Sequence, residues 1–250
     1  MALEPVQSLW IGDRLSVMER LCINSFLRNG QPYHLYVYGD VKGVPDGTTL
    51  RDARTIIPES EIFLYREHRS YAGFSNMFRY KLLLDKGGYW VDTDVVCLRP
   101  FAFKEDFVLA REHTRRLVSR AFRRFEYATC WMMKANAGSD VMAFCYDVAS
   151  KRDRETLTWG ETGPRLVHKA AHAFGKQDCI LPWEAFFPIR ATQWRQFIEP
   201  SAMVRRKWEG ASRTAFGIHL YNEMWRRNGA DKDADYPAES IYEVLKRRYL

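Results

Sequence analysis

The sequence is poor in features that would place it in several large classes. Its five cysteines, Cys22, Cys97, Cys130, Cys145 and Cys179, are scattered and odd in number, and none stands in a C-x-x-C pair. That argues against a disulfide framework or a zinc site and fits a reducing compartment. No apolar run is long enough to span a bilayer, and the opening Met-Ala-Leu-Glu-Pro lacks the basic and apolar regions of a signal peptide. A soluble, cytoplasmic protein is therefore expected. There is no internal repeat, no low-complexity stretch and no P-loop, and no Ser-His-Asp set is ordered enough to rank as a triad.

What remains describes a chain able to bury a full core. Apolar residues make up 46% of its 250 positions and aromatics 14%, which suits one mixed domain without long disordered runs. The formal net charge of +7 favours anionic partners: nucleic acid, an anionic membrane surface or phosphorylated small molecules. It is equally compatible with a role in solubility alone.

The local patterns alternate strand and helix. Leu9-Trp10-Ile11 reads as a strand, Ser16-x-x-Glu19 as a capping box opening a helix that runs to Asn29-Gly30, and residues 33–38 as a second strand. That order predicts a parallel sheet flanked by helices. A helix is expected over 75–86, stopped by Gly87-Gly88, then a strand over 89–92. Strands are expected at 107–110, 129–133 and 215–220, and helices at 141–150, 163–174 and 240–248. No linker divides the chain, so a single domain over 1–250 is predicted.

Asp92-Thr93-Asp94 interrupts an otherwise apolar stretch, Tyr89-Trp90-Val91 before it and Val95-Val96-Cys97-Leu98 after it. The triplet alone is weak, since Asp231-Lys232-Asp233 and Asp233-Ala234-Asp235 match it inside a polar run. Two carboxylates among apolar residues are costly unless a cation or hydrogen bonds compensate them. At a strand end they face the carboxyl edge of the sheet, where α/β folds bind ligands. Carboxylate oxygens suit Mg²⁺ or Mn²⁺, and such an ion can stabilise a departing diphosphate. The plainer alternative is a turn capped by two aspartates.

Ser75-Asn76-Met77-Phe78-Arg79, Leu82, Gly87-Gly88, Trp90 and Asp92-Thr93-Asp94 together resemble the sugar-transferase region with the aspartate-x-aspartate (DXD) motif. That region is shared by yeast initiating mannosyltransferases, α-1,4-galactosyltransferases, bacterial capsular polysaccharide glycosyltransferases and clostridial glucosylating toxins. The opening segments 9–12 and 21–26, Thr162-Gly163-Pro164 and the closing stretch from Ile218 to Trp225 are similar to other parts of the family. The resemblance implies an α/β, Rossmann-like GT-A fold with a mostly parallel sheet. Residues 1–100 would form the nucleotide-sugar half and 101–250 the acceptor side with the closing segment. It also implies transfer of a hexose, with retention, from a nucleotide diphosphate sugar, expected to be a UDP-hexose. The acceptor would be a glycan or lipid-linked glycan, and the setting bacterial surface polysaccharide synthesis.

Carried over by residue, the resemblance makes Asp94 the direct metal ligand. Asp92 would support the metal and contact ribose or sugar, and Arg79 would bind the donor sugar or its phosphate. Trp10 and Ile11 would line the uracil pocket, with Ser75, Asn76 and Trp90 in the donor site. Asn222 and Trp225 would close over the diphosphate, the indole N–H donating. Many relatives have Asp at the position of Asn76 and Tyr at that of Trp90. His219 is either a structural residue or a third metal ligand, which would favour Mn²⁺ over Mg²⁺. Glu161, Glu184 and Glu223 are open candidates for a nucleophile.

The arginines between residues 111 and 124 could bind an acidic glycan, lipid phosphate or nucleic acid, or simply form a solvated helix face. The terminal Lys246-Arg247-Arg248 allows a weak contact with anionic membrane, placing the protein at the inner membrane face. A nucleic-acid partner is not expected of the enzyme. The alternative from another class is a non-catalytic glycan- or nucleic-acid-binding module that retains the fold.

Overall fold

The computed structural model describes residues 3–66, 68–118 and 121–250, and side chains outside 113–126. Strand β1 (Val6–Trp10) leads into helix α1 (Val17–Arg28) and strand β2 (Tyr33–Val37). The capping box forms as the sequence predicts. Ser16 Oγ accepts from the Met18 amide, and Glu19 Oε2 accepts from the Ser16 amide at 2.8 Å. The helix ends at Asn29, followed by Gly30 at φ +75°. A short edge strand β3 (Thr49–Asp52) follows; all four of its residues are exposed, so it carries no alternating apolar signal.

Helix α2 (Ala72–Lys86) delivers the chain to β4 (Gly88–Val91) and, after the Asp92–Asp94 turn, to β5 (Val95–Cys97). Strands β6 (Phe107–Val118) and β7 (Ala121–Ala135) form a long hairpin. The backbone of the arginine-rich run is therefore extended, not the helix face allowed for from its charge pattern. The side chains of Arg115, Arg116, Arg120, Arg123 and Arg124 lie outside the described residues. Helices α3 (Asp140–Ser150), α4 (Pro164–Ala173) and α5 (Ala202–Ala211) precede strand β8 (Gly217–His219), the short helix α6 (Asn222–Arg227) and α7 (Ile241–Tyr249).

Six strands form the central sheet in the order β3-β2-β1-β4-β7-β6. The first four are mutually parallel, and β7 and β6 run antiparallel to their neighbours. Alternation along the strands sorts the side chains. Leu9, Tyr36 and Trp90 pack under α2, α3 and α4, while Val6, Leu35, Tyr89 and Val91 pack towards α1. A further core joins the outer side of α1 to α7, β8 and Trp194, Phe197 and Trp225. The order reverses between β1 and β4, so their carboxyl ends diverge into the crevice where open α/β sheets take ligands.

Between Leu109 and Arg111 the hairpin register slips: Leu109 faces Met133, but Arg111 faces Ala128. The surplus residues belong to β7. They put Trp131 and Met132 on the same side of the sheet and turn backbone carbonyls towards the end of β4. No described helix is long and apolar enough to cross a membrane.

Gly87 makes the α2–β4 junction at φ +67°, and a Cβ there would lie 2.6 Å from the Ala137 amide nitrogen. Backbone strain of this kind costs about 1–3 kcal/mol. Gly87→Ala is expected to lower stability by at least that amount in urea denaturation. An unchanged midpoint would show that the junction can relax.

Candidate active site

The site grows from the carboxyl ends of β1 and β4. Asp92 continues the alternation of β4, so its side chain emerges on the same face as Trp90, whose indole N–H donates to Asp92 Oδ1 at 2.8 Å. Arg79, on the inner face of α2, places Nη1 3.0 Å from the same oxygen. The guanidinium is almost fully buried and otherwise satisfied. It donates to the Ser75 carbonyl at 3.2 Å, to Ser75 Oγ at 3.0 Å and to the Cys130 carbonyl that the β7 bulge presents. Its plane also lies 4.8 Å from the Trp90 ring. The bulge gives a further bond, the Trp131 carbonyl accepting from the Asp92 amide at 2.8 Å.

Asp94 faces the C-terminal part of the chain. Its Oδ2 accepts from the Asn222 amide at 2.7 Å and lies 3.4 Å from His219 Nε2. Its backbone carbonyl accepts from the Leu220 amide at 2.9 Å. Burial opposes ionisation of Asp94, but the imidazole and the Asn222 amide outweigh it and hold the carboxyl below its usual range. Burial likewise opposes a charge on His219, yet Asp94 and Glu112 raise it to about 10. The ring stacks on Trp131 at 4.8 Å and 27° and touches Tyr221 at 4.3 Å. Tyr221 adopts φ +58°, the left-handed turn that swings the chain from β8 into α6.

These groups line a cavity of about 520 Å³. Trp10 and Ile11 form one wall, Ser75, Asn76, Arg79 and Trp90 the floor, and Asp92, Asp94, His219 and Asn222 the far side. Thr162-Gly163-Pro164 closes on Asn76: a Cβ on Gly163 would lie 3.0 Å from Asn76 Nδ2, and Cys130 Sγ donates to Asn76 Oδ1 at 3.6 Å. A second hollow of about 410 Å³, between α5 and α7, contains none of the donor- or metal-site candidates; Arg247 of the terminal basic run lines it.

One expected participant is elsewhere. Trp225 is fully buried in the core that joins α1 and α7, and its N–H donates to the Leu220 carbonyl at 2.9 Å rather than facing the cavity. Of the open nucleophile candidates, only Glu223 lines the cavity, and Arg226 and Arg227 hold it at 2.7 and 2.6 Å. Glu161 pairs with Arg152, and Glu184 is exposed. Of the terminal basic run, Lys246 is tied to Glu243 at 2.6 Å. The competing Asp231–Asp235 run serves as turn and cap: Asp233 Oδ1 accepts from the Val17 amide at the start of α1. Sequence reasoning missed Glu112, Tyr65 and Trp159, which complete the walls. Glu112 was hidden in the basic run, and only the hairpin register brings it to His219.

A family model described as "Glycosyltransferase sugar-binding region containing DXD motif" matches residues 19–114, and one described as "Alpha 1,4-glycosyltransferase conserved region" matches residues 153–249. The chain belongs to the DXD glycosyltransferases. No curated protein sequence matches it. Among solved structures, the PaToxG glycosyltransferase is similar over 85% of this chain and 86% of its own, at a TM-score of 0.50 and 12% identity, a likeness of fold. The apo-form glycosyltransferase GlyE of Streptococcus pneumoniae TIGR4 has a TM-score of 0.40 at 10% identity, over 99% of this chain and 63% of its own. The UDP-bound glycosyltransferase domain of the YGT toxin has 0.38 at 11%, over 97% and 81%.

The glycosyltransferase has a donor set that fits a divalent cation. One ligand atom each from Asp92, Asp94 and His219 lie within 4.8 Å of one another, close to the span that bonds of about 2.1 Å bridge. Two carboxylates and an imidazole suit Mn²⁺ or Mg²⁺ chemistry.

Arg79 supports this set from beneath. Removing one partner of a buried ion pair costs about 3–5 kcal/mol, and the 29% exposure of the Asp92 side chain lets water recover part of that. Arg79→Met is expected to lose about 2–3 kcal/mol in urea denaturation. A loss below about 0.5 kcal/mol, the size of an ordinary surface substitution, would show that the guanidinium does not hold the turn.

Proposed function

We propose that this glycosyltransferase transfers a hexose from a UDP-sugar to a glycan or lipid-linked glycan acceptor, with retention and with a divalent cation, in bacterial surface polysaccharide synthesis. The observation that carries the reading is the convergence of Asp92, Asp94 and His219 at the edge of a cavity with an aromatic wall at Trp10. Asp94 and His219 would hold the cation, with Asp92 completing the set. The imidazole favours Mn²⁺ over Mg²⁺. When bound, the cation supplies positive charge against the departing diphosphate.

The remaining work belongs to the chain itself. Trp10 and Ile11 offer an apolar face for the base and ribose. Asn76 presents an amide to sugar hydroxyls, able to donate and accept. Arg79, buried and bonded to Ser75, Cys130 and Asp92, fixes the Asp92 carboxylate and adds charge beneath the donor rather than moving to it. Glu223 is held by two arginines and Glu112 faces His219. This arrangement favours same-face attack, with a donor phosphate oxygen taking the acceptor proton, over a carboxylate nucleophile.

Thermal denaturation with UDP, with and without Mn²⁺, tests the reading. A ligand at about a hundred times its Kd adds about 2.7 kcal/mol to the native state, roughly 5 °C or more for a chain of this size. The shift is expected to require Mn²⁺ and to vanish with EDTA; a shift indifferent to the metal would sink the metal assignment. Asp94→Asn keeps an acceptor for the Asn222 amide but removes the charge. It is expected to fold normally and to lose at least about a hundredfold in donor hydrolysis, a single electrostatic contribution to the transition state. Activity within a few-fold of wild type would overturn the role of Asp94. A UDP shift without turnover on any nucleotide sugar would instead support a binding module.

A further inference from the structure

Glu112 is a carboxylate at the cavity that neither the carboxylate motif nor the reaction as proposed employs. It stands on β6 opposite Tyr127 of β7, just past the register slip between Leu109 and Arg111. Its side chain is 16% exposed. Its Oε2 lies 3.5 Å from the Tyr127 hydroxyl, and its Oε1 lies 3.4 Å from His219 Nδ1. Among the described residues that nitrogen is buried with no partner at hydrogen-bond geometry. On the opposite edge of the ring, Nε2 lies 3.4 Å from Asp94 Oδ2. Trp131 stacks on the imidazole and Tyr221 packs against it at a tilt, so its two nitrogens decide what it can do.

A neutral imidazole has one N–H and one lone pair. A nitrogen that ligates a cation uses the lone pair, so the other nitrogen carries the hydrogen and needs an acceptor. Nε2 is the atom turned towards Asp94, and Glu112 Oε1 lies 3.4 Å from Nδ1. We propose that Glu112 is a positioning residue, whose carboxylate accepts the His219 Nδ1–H and thereby presents Nε2 to a divalent cation shared with Asp94. This rests on reading Asp92, Asp94 and His219 as the metal site. A slight turn of the ring within its aromatic slot closes the 3.4 Å gap to a hydrogen bond. The three elements involved are β6, β8 and the turn after β4, so Glu112 adds a link from β6 through His219 to those that β7 already makes with Asp92 and Arg79.

The test is Mn²⁺ affinity in the presence of UDP, with free Mn²⁺ read by electron paramagnetic resonance, so that no turnover is needed. Glu112→Ala is expected to weaken Mn²⁺ binding by about tenfold or more, in the range for lost partners of ligating histidines. Glu112→Gln, which keeps an acceptor oxygen, is expected to restore most of that affinity and to retain transfer. Wild-type affinity in Glu112→Ala would overturn the proposal while leaving the metal site standing. So would unchanged affinity with transfer abolished in both variants, the pattern of a nucleophile. Wild-type protein that binds no Mn²⁺ with UDP present would instead remove the metal site on which the proposal stands. A measurement on the unsubstituted protein avoids any folding defect. With Mg²⁺ and UDP bound, imidazole ¹⁵N spectra are expected to show His219 protonated at Nδ1 and bare at Nε2, and the reverse tautomer would overturn it.

Discussion

Two carboxylates lie two residues apart in one tight turn at the edge of the sheet, Asp94 nearly buried and Asp92 mostly so. Bare charges in that position would cost several kcal/mol each. The structure around them is organised to offset this from two directions. From beneath come Arg79, the Trp90 N–H and the carbonyls of the β7 bulge that orient them. From the C-terminal side come His219 and the Asn222 amide. The division assigns the two aspartates different surroundings: Asp92 belongs to the α2–β4 unit, and Asp94 to the β5–β8 pair and the segment after it. A cation held by Asp94 and His219 would therefore bridge the turn after β4 and the segment around β8, and Asp94 already joins them without it.

The features legible in the sequence are those where local chemistry and the fold agree. The capping box at Ser16 and Glu19 forms as its spacing implies, and Gly30 and Gly87 stop their helices at left-handed φ. The motif frame from Ser75 to Asp94 lies on one helix and one strand, so short-range spacing specifies most of the site's floor. What escaped notice depended on long-range register. β3 is an exposed edge strand with no apolar alternation, and helix α5 buries only Val204. Glu112 lies among six arginines, and nothing in its neighbourhood separates it from a solvated run. Only the slip between Leu109 and Arg111 turns it towards His219. Composition misled there as well, since the same arginines allowed a helix where the backbone is a hairpin.

The closing segment after β8 shows how resemblance and geometry divide. Asn222 and Trp225 are three residues apart in α6, yet Asn222 lines the cavity and Trp225 is buried in the core. Moving Trp225 to a diphosphate would break its bond to the Leu220 carbonyl and separate it from Trp194 and Tyr242, with ring centroids at 5.5 and 4.9 Å. A buried indole covers about 150–250 Å², which at about 25 cal/mol per Å² amounts to roughly 4–6 kcal/mol. The lost hydrogen bond adds about 1 kcal/mol. Donor binding would have to supply that whole sum before gaining anything. Asn222 faces the cavity at no such cost, with its backbone already fixed by Asp94. Trp225 thus acts as the weight that anchors α6, and the anchoring keeps the Asn222 amide on the Asp94 carboxylate at the edge of the cavity.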